Sequence, residues 1–192
     1  MNKKHIITIA GKLGSGKSST AKMVAGMLGY EHCSTGDFMR EIAARRGVSL
    51  GDLSVIAETD PSIDKELDDN NLAIGQKDNI VIDSRLGFHF IPNSFRVFLD
   101  LDPETASERI LKDKLNNPNR NTEATGSFDT VESIKEKINL RLKSERKRYK
   151  DLYNIDDHTA HSNFDLVIDT SQFPLEEVSQ KIINEYNNWL NK

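Results

Sequence analysis

Gly11, Gly14, Ser15, Gly16, Lys17, Ser18 and Ser19 stand together in the run GKLGSGKSST, and Gly11–Ser18 fits the pattern G-x-x-x-x-G-K-[ST]. These residue types at this spacing hold the phosphates of a nucleoside triphosphate. The glycines let successive backbone N–H groups turn toward phosphate oxygens, and a following helix adds the positive end of its dipole. Lys17 is expected to reach the β- and γ-phosphates, and the Ser18 hydroxyl to reach Mg²⁺. The loop by itself leaves open what receives the phosphate.

A second set of residues bears on that question. Arg40 lies in STGDFMREI, Arg85 in IDSR, Arg109 in ASERI, and Arg141, Arg146 and Arg148 in LRLKSERKRY. Arg40, Arg85 and Arg109 each come soon after a β-rich run. In a parallel sheet the C-terminal strand ends share one edge, so residues after different strands converge there. Arginines gathered at that edge suit two phosphate groups approaching each other. On one helix Arg141 and Arg148, seven residues apart, share a face, and Arg146 points away. Glu104, Glu108 and Asp113 are near enough to pair with Arg109 as ordinary surface ions. DDHTAH (156–161) reads as a polar turn and Cys33 as a small buried residue.

The elements that position these residues follow from periodicity. HIITIA (5–10), YEHCS (30–34), NIVID (79–83), FRVFLDL (95–101) and FDLVIDT (164–170) are β-rich runs. Helical patterns cover Lys17–Leu28, Thr35 to about Arg46, Ser49–Glu58, Pro61–Gln76 and Leu175–Leu190, with Ser49 a possible N-cap and Gly29 a possible C-cap. Alternation of strand and helix predicts an α/β domain with about five mostly parallel strands and helices on both faces. Asn116–Asp129 is polar and almost without apolar residues, which reads as a lid or an insert.

Global properties narrow the classes further. The chain has 192 residues, one cysteine and a net charge of −4. That length suits a single domain, 1–192. The charge gives no general reason to bind nucleic acid or an anionic membrane. The lone cysteine cannot form an internal disulfide, the first apolar run is too short for a signal peptide, and no run approaches the ~20 apolar residues of a membrane span. A cytoplasmic protein is expected, with no nucleic-acid or membrane partner and a monomeric state. N-K-x-D, LSGGQ-like and HRD motifs are absent. A small-molecule kinase remains, or a small ATPase with a signalling output.

The phosphate loop, STGDFMRE, VIDSRLG, FLDLDPETASERI, SERKRYKDLYNID and FDLVIDTSQFPLEEV occur in an order that resembles the nucleoside monophosphate kinases. Within them the likeness is to the short archaeal-type cytidylate kinases, and it spans nearly the whole chain. The resemblance implies transfer of the ATP γ-phosphoryl group to CMP or dCMP with Mg²⁺. Gly11, Gly14, Ser15, Gly16, Lys17, Ser18 and Ser19 would hold ATP. Ser34, Gly36, Asp37 and Arg40 would form the acceptor helix, with Arg40 on the monophosphate. Asp83 would join Ser18 near the metal, and Arg85 would lie by the acceptor phosphate. Arg141, Arg146 and Arg148 would be arginines in and beside a lid over 112–150, with Lys17, Arg85, Arg146 and Arg148 the catalytic set. Residues 36–78 would be the acceptor-binding insert. Three positions depart from the archaeal-type pattern: Ser84 and Asn154 replace glycines, and 116–129 is longer than the usual lid tip. Acceptors such as AMP, UMP or a non-nucleotide, or a weak ATPase signalling module, stay open.

Overall fold

The computed structural model describes residues 4–116 and 130–192. Five parallel strands form one sheet in the order β2-β3-β1-β4-β5: β1 is Ile6–Gly11, β2 Glu31–Ser34, β3 Ile80–Asp83, β4 Phe95–Asp100 and β5 Leu166–Asp169. Helix α1 covers Lys17–Leu28, α2 Thr35–Arg46, α3 Leu50–Ile56, α4 Pro61–Ile74, α5 Gly87–Phe90, α6 Pro103–Asn116, α7 Val131–Tyr153 and α8 Leu175–Leu190. The five strands and the early helices lie where the periodicity put them. The one-turn helix α5 is too short to leave a periodic signature. The stretch read as a lid tip lies, from residue 117 to 129, outside the described residues.

The central strands are buried on both faces, which is why their sequences are mostly apolar, Thr8 and Asp83 being the buried polar exceptions. Alternation along β1 sends Ile7 and Ile9 to one side, where Val81, Val97 and Leu99 meet α1 and α8 through Ala21, Val24, Val178, Ile182 and Tyr186. Ile6 points the other way and joins Ile80, Ile82, Ile74 and Ile91. Two further apolar clusters stand apart from the sheet. Ile42, Leu53, Ile63 and Leu67 bind α2, α3 and α4 together. Leu101, Ala106, Ile110, Ile134 and Ile138 bind α6 to α7. Each helical arm beside the sheet's C-terminal edge is therefore packed by its own core. Among the described residues no helix is long and apolar enough to cross a membrane.

Register fixes what meets at that edge. Ser34 pairs with Asp83 across β2 and β3, Gly11 with Leu99, and Asp100 with Asp169. The chain leaves β1 in the middle of the sheet and returns to β2 beyond β3, which opens a crevice above β1 and β3.

Candidate active site

The loop after β1 is shaped by its glycines. A Cβ at Gly11 would run into the Leu99 carbonyl oxygen of the neighbouring strand, so only glycine lets the strand pass there. Gly16 takes a left-handed φ of 83° and starts α1 without a side-chain cap. Helices α2, α3, α4 and α7, by contrast, begin on Ser34, Ser49, Asp60 and Thr130, each accepting a first-turn N–H. The first N–H groups of α1 are thus left for an anion. Ser15 Oγ and Lys17 Nζ both donate to the Lys12 carbonyl, at 2.8 and 3.0 Å. Lys12 itself pairs with Asp100 at 2.6 Å, anchoring the loop to the end of β4.

Ser18 and Asp83 come together: the serine hydroxyl donates to the Asp83 carboxylate. Asp83 is buried at the end of β3. A hydroxyl and one carboxylate beside a phosphate cradle fit Mg²⁺, which takes one or two carboxylates and completes its shell with substrate oxygens and water. Bound there, the ion would neutralise phosphate charge.

Counting Lys17 itself, three cations here meet two carboxylates. Arg85 and Arg141 face it as cations, and Asp83 and Glu145 as carboxylates. Burial first, and then the Arg85 charge, lower the Lys17 pKa to about 8. A half-buried lysine pressed this way would gain from an anion placed beside it.

Glu145 ties the two arginines together. Its Oε1 accepts from Arg141 Nε at 2.7 Å and lies 3.2 Å from Arg85 Nε, while Oε2 lies 3.5 Å from His158 Nε2. Burial alone would raise the Glu145 carboxyl; Arg85, His158 and Arg141 outweigh it and hold it well below the usual carboxylate range. Sequence reasoning missed Glu145 as one acid among many in a charged helix. The available signal was its place on the inner stripe of α7, with Ile134, Ile138, Arg141 and Tyr149.

The remaining arginines separate. Arg148 points inward and lies 3.6 Å from the buried Asp64 of α4. Arg146, on the outer side of α7, is held by Asp157 at 2.7 and 3.2 Å and by Thr159. Arg40 is exposed and pairs with Asp37 one turn before it. Gly36 lies beside both Ser34 Oγ and the Arg40 guanidinium. Arg109 donates to the Thr170 carbonyl at 2.9 Å after β5. The structure thus brings Lys17, Ser18, Asp83, Arg85 and Arg141 together, and leaves Arg146 outside that group. Ser19 is exposed on the first turn of α1. The DDHTAH turn scatters its side chains: Asp157 goes to Arg146, His158 to Glu145 and His161 to Asp100. No metal-ligand cluster of His, Cys, Asp and Glu gathers among the described residues.

Two of the unusual positions have local reasons. Asn154 ends α7 at φ 56°, the left-handed conformation that asparagine tolerates best after glycine. Ser84 is buried and donates to Asn71 Oδ1 at 3.2 Å, and Thr35 donates to the same oxygen at 3.4 Å. The hydroxyl of Ser84 therefore joins α4 to the C-terminal end of β3, beside the start of α2.

The model of the cytidylate kinase-like family matches residues 6–172. The chain belongs to the cytidylate kinase-like family. A cytidylate kinase of Haloquadratum walsbyi is 35% identical over 176 residues, covering 90% of this chain and 84% of that one. An S-adenosylmethionine-dependent nucleotide dehydratase of Lacinutrix mariniflava is 36% identical over 182 residues, and there the match takes in 94% of this chain but 35% of the relative. This chain therefore spans about a third of that longer protein. Among solved structures, a shikimate kinase from Acinetobacter baumannii superposes with a TM-score of 0.62 at 18% identity, covering 98% of this chain and 96% of that one. At that identity the likeness concerns the fold, that of the P-loop kinases.

Proposed function

We propose that this member of the family transfers the γ-phosphoryl group of ATP to CMP or dCMP. The observation that carries the reading is the group of three cations, Lys17, Arg85 and Arg141, gathered around Asp83 and Glu145 beside the phosphate loop. Phosphoryl transfer asks little covalent work of a protein. It asks for alignment and for cations where charge spreads over the moving group. Arg40 and Arg85 would receive the acceptor phosphate, and Ser34, Gly36 and Asp37 would shape its approach. Ser18 and Asp83 would hold Mg²⁺.

The base preference draws support from α4. Asp64 Oδ2 and Arg148 Nε are buried atoms without a hydrogen-bond partner. Burial pushes the Asp64 carboxyl up, and Arg148 draws it back. Asp64 precedes Asn71 by two helical turns, roughly 10 Å along α4 at the usual rise, and Asn71 stands at the phosphate edge. A carboxylate oxygen beside a guanidinium N–H complements the amino group and ring nitrogen of cytosine; uracil presents the opposite polarity at the same two positions.

An initial-rate panel with ATP and Mg²⁺ against the common ribo- and deoxyribonucleoside monophosphates tests the proposal. CMP or dCMP is expected to exceed AMP, GMP and dTMP in kcat/KM by at least ~10-fold. A preference for AMP would remove the cytidylate reading; no transfer to any monophosphate would turn attention to another acceptor or to a signalling ATPase. In the same panel Asp64→Asn is expected to lower the ratio of CMP to UMP by ~10-fold or more, since an amide can turn either polarity toward the base. An unchanged ratio in the folded variant would remove Asp64 from base recognition.

A further inference from the structure

We propose that Asn71 is a positioning residue for the acceptor: its amide oxygen ties the residue before Arg85 to the first residue of α2, and so fixes these two parts of the acceptor site against each other. The inference rests on the phosphoryl-transfer reading and adds to it a side chain one step behind the residues named for the acceptor.

The contact begins where the sheet ends. The ladder between β2 and β3 closes on the pair Ser34 and Asp83. Thr35 and Ser84 come next on the two segments: Thr35 opens α2 beside Gly36, and Ser84 leads into Arg85. The Ser84 N–H turns toward β1 and donates to the Ile9 carbonyl at 3.1 Å. Its hydroxyl turns the other way, to Asn71 Oδ1 at 3.2 Å, and the Thr35 hydroxyl donates to the same oxygen at 3.4 Å. Asn71 Nδ2 donates to the Leu67 carbonyl at 2.9 Å. A carbonyl can only accept, so this bond decides which end of the amide faces the two hydroxyls. One side chain from α4 thus continues the pairing of two segments past the last rung of their ladder.

The place of Asn71 on α4 shows why an amide stands there. Leu67, Asn71 and Ile74 follow at helical spacing on one face. Leu67 belongs to the core that binds α2, α3 and α4 together, and Ile74 to the cluster of Ile80, Ile82 and Ile91 on the sheet. Asn71 sits at the changeover, buried together with Ser84. An apolar residue would join the two cores by packing alone, which has no direction. A satisfied buried amide holds one geometry, because a shift would strand polar groups away from water. Arg40 travels with α2 and Arg85 with β3, so a phosphate that meets both depends on their separation. A misplacement of about 1 Å, even from a change far from the chemistry, can cost roughly 10²-fold in rate.

Five variants test the joint: Asn71→Leu, which continues the apolar stripe; Thr35→Val and Ser84→Ala, which each remove one hydroxyl; the double variant of these two; and Thr35→Ser, which keeps the hydroxyl. Each is read by steady-state kinetics with ATP and the preferred monophosphate both varied, and by urea unfolding. Asn71→Leu is expected to lower kcat/KM for the monophosphate at least ~30-fold and to change KM for ATP less than ~3-fold. Thr35→Val and Ser84→Ala should each cost at least ~5-fold on the monophosphate, and the double variant no more than ~2-fold beyond the worse single one, since either cut opens the same joint. Thr35→Ser should stay within ~2-fold of wild type. Folded variants that lose stability but keep wild-type kcat/KM for the monophosphate overturn the proposal, because the amide would then serve packing alone. Losses that multiply in the double variant overturn it too, since each hydroxyl would act by itself. So does a Thr35→Ser protein as impaired as Thr35→Val, or a loss shared equally by both substrates. If Asn71→Leu does not fold, the hydroxyl variants decide by the same criteria, and failure of these to fold makes the network purely structural and overturns the proposal. A wild type that transfers phosphate to no monophosphate removes the functional reading and the inference with it; an active wild type with unaffected variants removes the inference alone.

Discussion

Lys17→Met is expected to cost at least ~10³-fold in phosphoryl transfer and, at the same time, to make the nucleotide-free protein more stable. The two effects have one cause. Lys17 is held with its charge partly out of water and against Arg85 and Arg141, and its pKa falls from 10.5 to about 8. A residue whose charge is disfavoured in the folded chain weakens that chain unless an anion arrives. Between pH 8 and 10.5 the unfolded chain binds more protons at this site than the folded one. Stability contributed by Lys17 therefore rises with pH across that window, and the penalty is complete below pH 8. One pKa unit corresponds to about 1.4 kcal/mol, and partial solvent contact discounts the total to on the order of 2 kcal/mol. Methionine has a similar length and no charge to desolvate. Urea unfolding without nucleotide should show the variant more stable than wild type at pH 7, with the difference shrinking toward pH 10. Addition of ATP should raise wild-type stability and leave the variant nearly unchanged. Near-normal turnover in the variant at saturating ATP would dispose of the assignment. A variant less stable than wild type at pH 7 would dispose of the strained-cation argument.

The same lysine shows what a sequence reading can reach. Spacing alone identified the phosphate loop, because the constraint there is local: glycines in fixed places, then a lysine and a hydroxyl. Strand positions were legible for a related reason. Strands buried on both faces read as near-continuous apolar, β-branched runs, so β1, β3 and β4 announce themselves despite Thr8, Asp83 and Arg96. The inward placement of Arg141 and Arg148 and the outward placement of Arg146 also follow from helical spacing.

What could not be read was the meaning of a charge that depends on a distant partner. Glu145 looks like any acid in SERKRYK until Arg85, sixty residues earlier, is placed against it. Asp64 has the same history: in SIDKELDDN it is one of several carboxylates, and only the packing of α4 on α7 buries it beside Arg148. Helix α5 escaped notice because one turn carries no period.

The second large effect separates the arginines from one another. Arg85→Lys and Arg141→Lys are each expected to lower kcat by at least ~100-fold, Arg146→Lys by less than ~5-fold. Arginines that meet the moving phosphoryl group can be worth roughly 10³–10⁵ in rate. Lysine keeps the charge but not the planar fork, and each of these arginines meets Glu145 through Nε. A lysine ammonium, a point charge on a flexible stem, cannot reproduce that geometry. Arg146 carries the same charge on the same helix, yet Asp157 and Thr159 hold it on the other side of α7. Arg148 and Arg40 give a different signature. Arg148 lies by Asp64, and Arg40 lies in the second turn of α2 beside Asp37. Their replacement by alanine should raise KM for the monophosphate more than it lowers kcat, because a contact made equally in ground and transition states changes binding alone. Steady-state kinetics on the five variants, with both substrates varied, reads the whole ordering. If Arg146→Lys loses as much kcat as Arg85→Lys and Arg141→Lys, then Arg146 must leave Asp157 during turnover, and α7 or the turn after it must rearrange when both nucleotides are bound. If neither Arg85→Lys nor Arg141→Lys loses more than ~5-fold, the group around Glu145 holds the helices together and takes no part in the transfer.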